Sequence, residues 1–321
     1  MVDRRWRSLL ALAMLSAGCT AIASPAPPSG FTPTPAPRLT VVAAGNICGD
    51  PAACRDTSER VAEADPDLVL TLGDMAYDDG LLSQFRDEYG GGARPQTGWG
   101  RPEIKAITLP GFGNHDCYDA GTKLGCDGAV SYFGTDRSFG TDIPGTTGSY
   151  WTVRGDWLIV VLNSAGEGGS GHATPDEIAS QGAALVAILE ADDHTCEIVA
   201  WHHPRFTSGR QGRDGSLVAP WFETAYANGV DVILNAHHHH YERFAPQDPS
   251  GQPGGEGVRE FVVGTGGAPL ESFGTPAANS EARFSEWGIL TMELGDDGTY
   301  SWAFLDDMTA GVFDEGADVC H

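Results

Sequence analysis

Four histidines in a row, His237-His238-His239-His240, close an apolar stretch that begins at Val230 and runs through Asn235 and Ala236. Tyr241-Glu242-Arg243 follows at once. The stretch Val230–Leu234 reads as a buried strand. Residues two apart on extended chain point the same way, so His237 and His239 share one side and His238 and His240 the other. Paired imidazoles at the C-terminal end of a strand are suited to holding a metal ion. A solvated His-rich loop is the plainer alternative; the strand in front and the ordered Tyr-Glu-Arg behind argue against it. Three more apolar segments end in polar residues of the same chemical kind. Leu68–Leu72 leads into Gly73-Asp74-Met75-Ala76-Tyr77, Ile107–Leu109 into Gly113-Asn114-His115-Asp116, and Ile198–Trp201 into His202-His203-Pro204. In open α/β sheets, ligands bind beyond the carboxyl ends of the strands. Four segments therefore deliver carboxylate, phenol, amide and imidazole groups to one rim. Each segment alone is a weak signal; their order along the chain makes the set a strong one.

The elements that must position these groups are short strands alternating with helices. Leu39–Ala44 is a strand and Thr57–Ala64 a helix ended by Asp65-Pro66. Trp157–Leu162 is a strand apolar on both faces. A helix capped by Thr174, with Pro175 in its first turn, runs to about Ala191. Ala219–Ala227 is a further helix. Phe261–Val263, Gly288–Leu294 and Thr299–Leu305 are strands, the last named closing the fold. Strands buried on both faces and alternating with helices call for α/β layers, and the helix-free run after residue 258 calls for a partly antiparallel sheet. The Gly-rich stretches 90–92 and 251–257 are loops; neither joins a strand to a helix as a phosphate-binding fingerprint must.

The blocks resemble those of the calcineurin-like metallophosphoesterases, and among them the purple acid phosphatase branch. The resemblance runs from Leu39 to the C-terminus. It rests on Gly73-Asp74-Met75-Ala76-Tyr77, Gly113-Asn114-His115-Asp116, His202-His203-Pro204 and Ala236-His237-His238-His239, with Ala236 for the usual Gly. Tyr241-Glu242-Arg243 is typical of the branch and sets the register, selecting His237 and His239 over His238 and His240. The resemblance implies an α/β metallophosphatase-type β-sandwich of two mixed sheets flanked by helices. It implies metal-dependent hydrolysis of phosphate monoesters or diesters by a metal-bridging hydroxide at a dinuclear site. Asp74 would bridge two ions, Tyr77 and His239 would bind the first, and Asn114, His202 and His237 the second. A Tyr ligand favours Fe(III), so the expected cofactors are iron and a second divalent ion (Fe, Zn or Mn). His115 would contact the phosphate or protonate the leaving group. Arg205 and Arg210 are candidate phosphate contacts, and His203 either lies near the site or faces away.

One block departs from the pattern. After Val41-Val42-Ala43-Ala44 the chain reads Gly45-Asn46-Ile47-Cys48, with Asn46 where the family has a ligand Asp. An amide oxygen can ligate but brings no charge. Three readings stand open: Asn46 ligates, Asp50 swings in, or the first subsite stays largely empty. The third would make the chain a degenerate mono-metal phosphate- or metal-binding lipoprotein with little or no turnover. A surface protein whose histidines only buffer metal would leave Asp74, Asn114 and His202 unexplained.

The start of the chain points to export. Arg4, Arg5 and Arg7 precede Leu9–Leu15, then Ser16-Ala17-Gly18-Cys19. This is a secretory leader, too short to span a membrane. The Cys after small residues resembles a bacterial lipoprotein signal, with residues 1–18 removed and Cys19 lipidated. Ser16 stands where such signals more often carry Leu, and ordinary secretion with Cys19 discarded is the alternative. Residues 19–38, rich in Pro, Ala, Ser and Thr, form an extended tether, leaving 39–321 as one domain. The six later cysteines suit disulfides in an exported protein. Spacing does not fix their pairing; the simplest is Cys48–Cys54, Cys117–Cys126 and Cys196–Cys320. A net charge of −25 excludes electrostatic binding to nucleic acid or an anionic bilayer. Membrane contact would come only through a lipid anchor, and a small phosphorylated substrate would need local positive charge, which metal ions supply.

Overall fold

The computed structural model of the protein describes residues 38–94, 97–118, 125–134, 139–210, 214–307, 309 and 311–321. The leader, Cys19 and all of the tether but Arg38 fall outside them. No helix among the described residues is long and apolar enough to cross a membrane.

The first half supplies parallel strands. β1 (Arg38–Ala44) leads to α1 (Pro51–Ala64), β2 (Leu68–Leu72), a short α2 (Leu82–Gln84), α3 (Pro102–Ile107) and β3 (Thr108–Gly111). β1, β2 and β3 pair in parallel. Then come α4 (Asp127–Phe133), β4 (Thr141–Asp142), β5 (Tyr150–Arg154), β6 (Trp157–Val161), α5 (Pro175–Glu190), β7 (Cys196–Ala200), α6 (Ala219–Ala227) and β8 (Val232–Asn235). The chain ends with β9 (Tyr241–Phe244), β10 (Arg259–Val263), β11 (Ser280–Phe284), β12 (Gly288–Gly295), β13 (Thr299–Asp306) and β14 (Val312–Val319). Six strands form one sheet, in the order β14-β13-β12-β1-β2-β3, and eight form the other, in the order β11-β9-β10-β8-β7-β6-β5-β4. Both are mixed: the six-stranded sheet is parallel over β1-β2-β3 at one side and antiparallel over the rest, and the eight-stranded sheet has a parallel centre and antiparallel margins.

Strand β6 shows why both sheet faces are apolar. Its Ile159 and Val161 join Val41, Leu70, Met292 and Phe261 in the core between the sheets. Its Leu158 and Val160 pack outward against Leu185 of α5 and against Trp221 and Phe222 of α6. Alternation along one strand thus fills two layers, and the fold is the expected sandwich flanked by helices.

Several elements differ from the sequence reading. Helix α1 starts six residues early because Asp50 caps it: its Oδ1 accepts from Ala52 N at 2.8 Å and Ala53 N at 3.1 Å, with Pro51 in the first turn. The capping role commits Asp50 to the helix terminus, so it does not serve as a replacement ligand. β13 is not the final strand; β14 follows it. Its sequence, VFDEGADV, carries too few apolar residues to alternate, and it lies exposed at a sheet edge. The histidine run is not extended chain either. β8 stops at Asn235, and His237 takes a left-handed conformation with φ +65°.

The structure contains three disulfides: Cys48–Cys54, Cys117–Cys126 and Cys196–Cys320. The last joins the start of β7 to the C-terminal end across 124 residues.

Candidate metal centre

The parallel strands of both sheets end at one seam. Asn46 follows β1, Asp74 follows β2, Asn114 follows β3, His202 follows β7 and His237 follows β8. Close approach of these loops depends on missing side chains. A Cβ on Gly73 would lie 2.6 Å from His202 Nδ1, and one on Gly45 would lie 2.5 Å from the Cβ of Ala236. Asn46, Asp74 and His237 adopt φ of +53°, +54° and +65°. Such conformations are costly for residues with a Cβ and concentrate at functional sites. Three candidate ligands are held this way because the tight turns after the strands aim their side chains back at the seam.

Two oxygens and two imidazole nitrogens converge there. His202 Nε2 lies 3.2 Å from Asp74 Oδ2 and 3.1 Å from Asn114 Oδ1. His237 Nδ1 lies 3.0 Å from Asn114 Oδ1 and 3.3 Å from His202 Nε2. The ligand atoms of Asp74, His202 and His237 all fall within 4.8 Å of one another. Backbone contacts set the ring tautomers, because a carbonyl only accepts. His202 Nδ1–H donates to Leu72 O at 2.7 Å, which leaves Nε2 bare toward the seam. His239 Nδ1–H donates to Pro269 O and His115 Nδ1–H to Asp78 O, both at 2.7 Å.

Burial alone would raise the Asp74 carboxyl, but the charge and hydrogen bond of His202 hold it well below the usual carboxylate range. Its Oδ1 also accepts from His115 N at 2.7 Å. Burial would lower His202; Asp74 draws it upward instead. Asp116, buried and beside the Asp74 charge, is pushed up to about 7. It braces two of the ligand loops, accepting from Met75 N and Gly113 N, each at 2.9 Å.

The seam opens into a cavity of about 640 Å³ lined by Asp74, Asn114, His115, Tyr118, Arg210, His237, His239 and Glu271. The Tyr77 and His115 rings meet at a tilt, with centroids 4.6 Å apart. Asn46 is fully buried; its Nδ2 donates to Asp74 Oδ2 at 3.2 Å and to Tyr77 Oη at 3.0 Å. Arg205 is not part of the cavity: its guanidinium donates to Gly215 O and Pro249 O and covers the Phe206 ring. His203 is buried behind the ligands, 2.8 Å from Ser164 Oγ, with its ring 4.4 Å from that of His237. His238 and His240 do not line the cavity and pair with Glu271, at its wall, and with Glu242. The split expected from strand alternation therefore exists, although bends create it. The segment Pro269–Ser272, which orients His239 and walls the cavity, was not picked out from the sequence. It follows β10 as the other loops follow their strands, so its place after a strand end is the signal that could have found it.

The residues present fit a metal ion. Asp74, Asn114 and His202 offer acceptor atoms to the shared point, and His237 Nδ1 accepts as well in its Nε2–H tautomer, a set that calls for a cation or a proton between them. The calcineurin-like phosphoesterase family model matches residues 41–241. The chain belongs to the calcineurin-like phosphoesterase family. The family pattern implies a dinuclear metal centre. Solved structures share the fold. Purple acid phosphatase PPD1 from yellow lupin (Lupinus luteus) seeds is 17% identical with TM-score 0.67, over 89% of this chain and 55% of that one. This phosphoesterase thus spans about half the length of the lupin chain. GAP50, the anchor in the inner membrane complex of Plasmodium, is 12% identical with TM-score 0.65, over 88% and 89% of the two chains. A dimetal phosphatase from Danio rerio is 10% identical with TM-score 0.54, over 90% and 100%. At these identities the likeness is one of fold. No curated protein matches the chain.

The glycines of the seam give a direct test of this packing. A Cβ on Gly113 would lie 2.3 Å from Asp74 Oδ1, 2.4 Å from Asp74 N and 2.8 Å from His202 Cε1. Gly113→Ala is expected to displace both ligands, lower bound metal measured by elemental analysis, and cost about 1–3 kcal/mol in urea unfolding. Unchanged metal content would show that the seam is looser than these distances require.

Proposed function

We propose that this phosphoesterase is an exported hydrolase of small phosphate monoesters or diesters, of purple acid phosphatase type. The observation that carries the proposal is the convergence of Asp74, Asn114, His202 and His237 on one point beside an open cavity. These four would hold a metal ion, and Tyr77, His239 and Asn46 face the neighbouring subsite beside Asp74. Iron with a second divalent ion (Fe, Zn or Mn) suits the donor types. Bound metal supplies Lewis acidity and makes water a competent nucleophile near neutral pH.

The chain's own residues do the rest. Leu72 and Pro269 carbonyls fix the rings of His202 and His239, so no reorientation is needed when substrate arrives. His115 lines the cavity with Nδ1 tied to Asp78, so that Nε2 of the doubly protonated ring would give its proton to the leaving oxygen. Arg210 adds a cation to the cavity rim of a protein with net charge −25. Export as a lipoprotein anchored through Cys19, with secretion as the alternative, is proposed from the leader and tether; three disulfides are in keeping with an oxidising compartment.

The test is hydrolysis of p-nitrophenyl phosphate and bis-p-nitrophenyl phosphate by the purified protein. Turnover of at least one, abolished by chelator and restored by added metal, is expected. No turnover of either with Fe, Zn, Mn or Mg, at acid and neutral pH, would overturn the proposal.

A further inference from the structure

The two halves of the centre are built differently. At the subsite of Asp74, Asn114, His202 and His237 the inward atoms are two oxygen acceptors and two imidazole nitrogens, with no fixed donor among them. At the neighbouring subsite a donor is already in place. Asn46 Nδ2 spends its hydrogens on Asp74 Oδ2 at 3.2 Å and Tyr77 Oη at 3.0 Å, the two oxygens that would face a first ion. We propose that the Asn46 amide stands in for that ion, so that the protein retains a single metal, at Asp74, Asn114, His202 and His237. The inference rests on the metal-centre reading above, but replaces its pair of ions with one and so departs from the dinuclear pattern of the family.

Three observations support it. First, Asn46 is locked. It is fully buried at φ +53°, its N–H donates to Gly73 O at 2.9 Å, and its carbonyl accepts from Ala268 N at 2.8 Å. Its backbone is fixed in place, with the side chain aimed at the seam. Second, the amide oxygen points the wrong way. Asn46 Oδ1 is buried without a hydrogen-bond partner, on the side of Gly264, where a Cβ would meet it at 2.9 Å. Ligation by Oδ1 requires the amide to turn over and to give up both donor contacts. Third, charge is scarce. Among Asn46, Asp74, Tyr77, Asn114, His202, His237 and His239, Asp74 is the only carboxylate. Two divalent or higher ions around one buried carboxylate leave a large uncompensated charge, whereas one ion with Asp74 leaves little. The neutral amide presents partial positive charge to Asp74 Oδ2 without adding a full one.

Metal counting tests this without reference to activity. The full chain is loaded with iron, or with zinc, dialysed, and analysed for metal per chain. The wild type is expected to hold one ion of either metal, and Asn46→Asp two. With iron, Asn46→Asp is also expected to gain a visible tyrosinate-to-iron absorption that the wild type lacks. Asn46→Ala, which removes the donor without adding charge, is expected to stay at one ion, and His202→Ala to fall to none. Two ions per wild-type chain, or a folded Asn46→Asp that stays at one, overturns the inference and leaves the phosphoesterase reading intact. A wild type with no ion, together with hydrolysis insensitive to chelator, overturns both.

Discussion

Asp74→Asn is expected to strip the protein of metal and to lower phosphate-ester hydrolysis by roughly 10³-fold or more, the scale of losing charge stabilisation at a buried reaction centre. The expectation follows from how completely the carboxylate is used. Its Oδ1 takes the His115 amide proton at 2.7 Å, and its Oδ2 faces both His202 Nε2 and Asn46 Nδ2 at 3.2 Å. An amide at this position must set an NH₂ group against the His115 N–H or against Asn46 Nδ2. It also removes the only negative charge among the candidate ligands. Folding should survive, because the variant no longer buries a charge and keeps the side-chain volume. The measurements are elemental analysis, kcat on p-nitrophenyl phosphate, and a thermal melt to show the fold is retained. A folded variant that keeps both its metal and more than a tenth of wild-type turnover would sink the assignment of Asp74.

The second large effect lies at the far end of the same strands. Removing the Cys196–Cys320 disulfide, as the Cys196→Ser, Cys320→Ser double variant, is expected to cost about 3–5 kcal/mol. The bond closes a loop of 124 residues, and loops of about that length restrict the unfolded chain by an amount on this scale. Cys196 opens β7, and Cys320 is followed by His321, whose N–H and Nδ1 lie 3.0 and 2.8 Å from Asp231 Oδ1 beside the start of β8. The bond therefore fastens the chain's last residues to the beginnings of β7 and β8. His202 and His237 sit beyond the opposite ends of those strands. Metal content and turnover at 25 °C should thus stay near wild type while the urea midpoint falls. A midpoint within error of the wild type would falsify the claim that this disulfide sustains the fold.

Much of the sandwich can be read from residue types alone. Leu68–Leu72 and Ala219–Ala227 are the elements the sequence predicts, because each is apolar enough to be buried and bounded by turn or capping residues. β14 could not be read that way, since an edge strand open to water needs no apolar alternation. β9 was hidden for a different reason. Tyr241-Glu242-Arg243 looks polar, yet Tyr241 and Glu242 are buried and Arg243 is neutralised by Asp314 at 2.7 Å, a partner 71 residues away. The early start of α1 was legible but missed: Asp50-Pro51 is the same cap-then-proline pattern as Thr174-Pro175 at the start of α5.

The chemistry of the centre is likewise divided. The sequence by itself determined which functional groups are available: Asp74, Asn114, His202 and His237 each stand just past a strand, and strand ends are local features encoded by short apolar runs and glycines. It also determined the anomaly, Asn46 in place of a carboxylate. Only the tertiary structure decided what these groups do to one another. It paired His238 and His240 with Glu271 and Glu242, placed Arg210 at the cavity and tied Arg205 to backbone carbonyls, and turned the nitrogen of Asn46 toward Asp74 and Tyr77. The physical reason is range. A residue's type and its distance from a strand end are set by its neighbours in the chain. The direction of a side chain at a seam between two sheets is set by packing and hydrogen bonds to residues tens or hundreds of positions away.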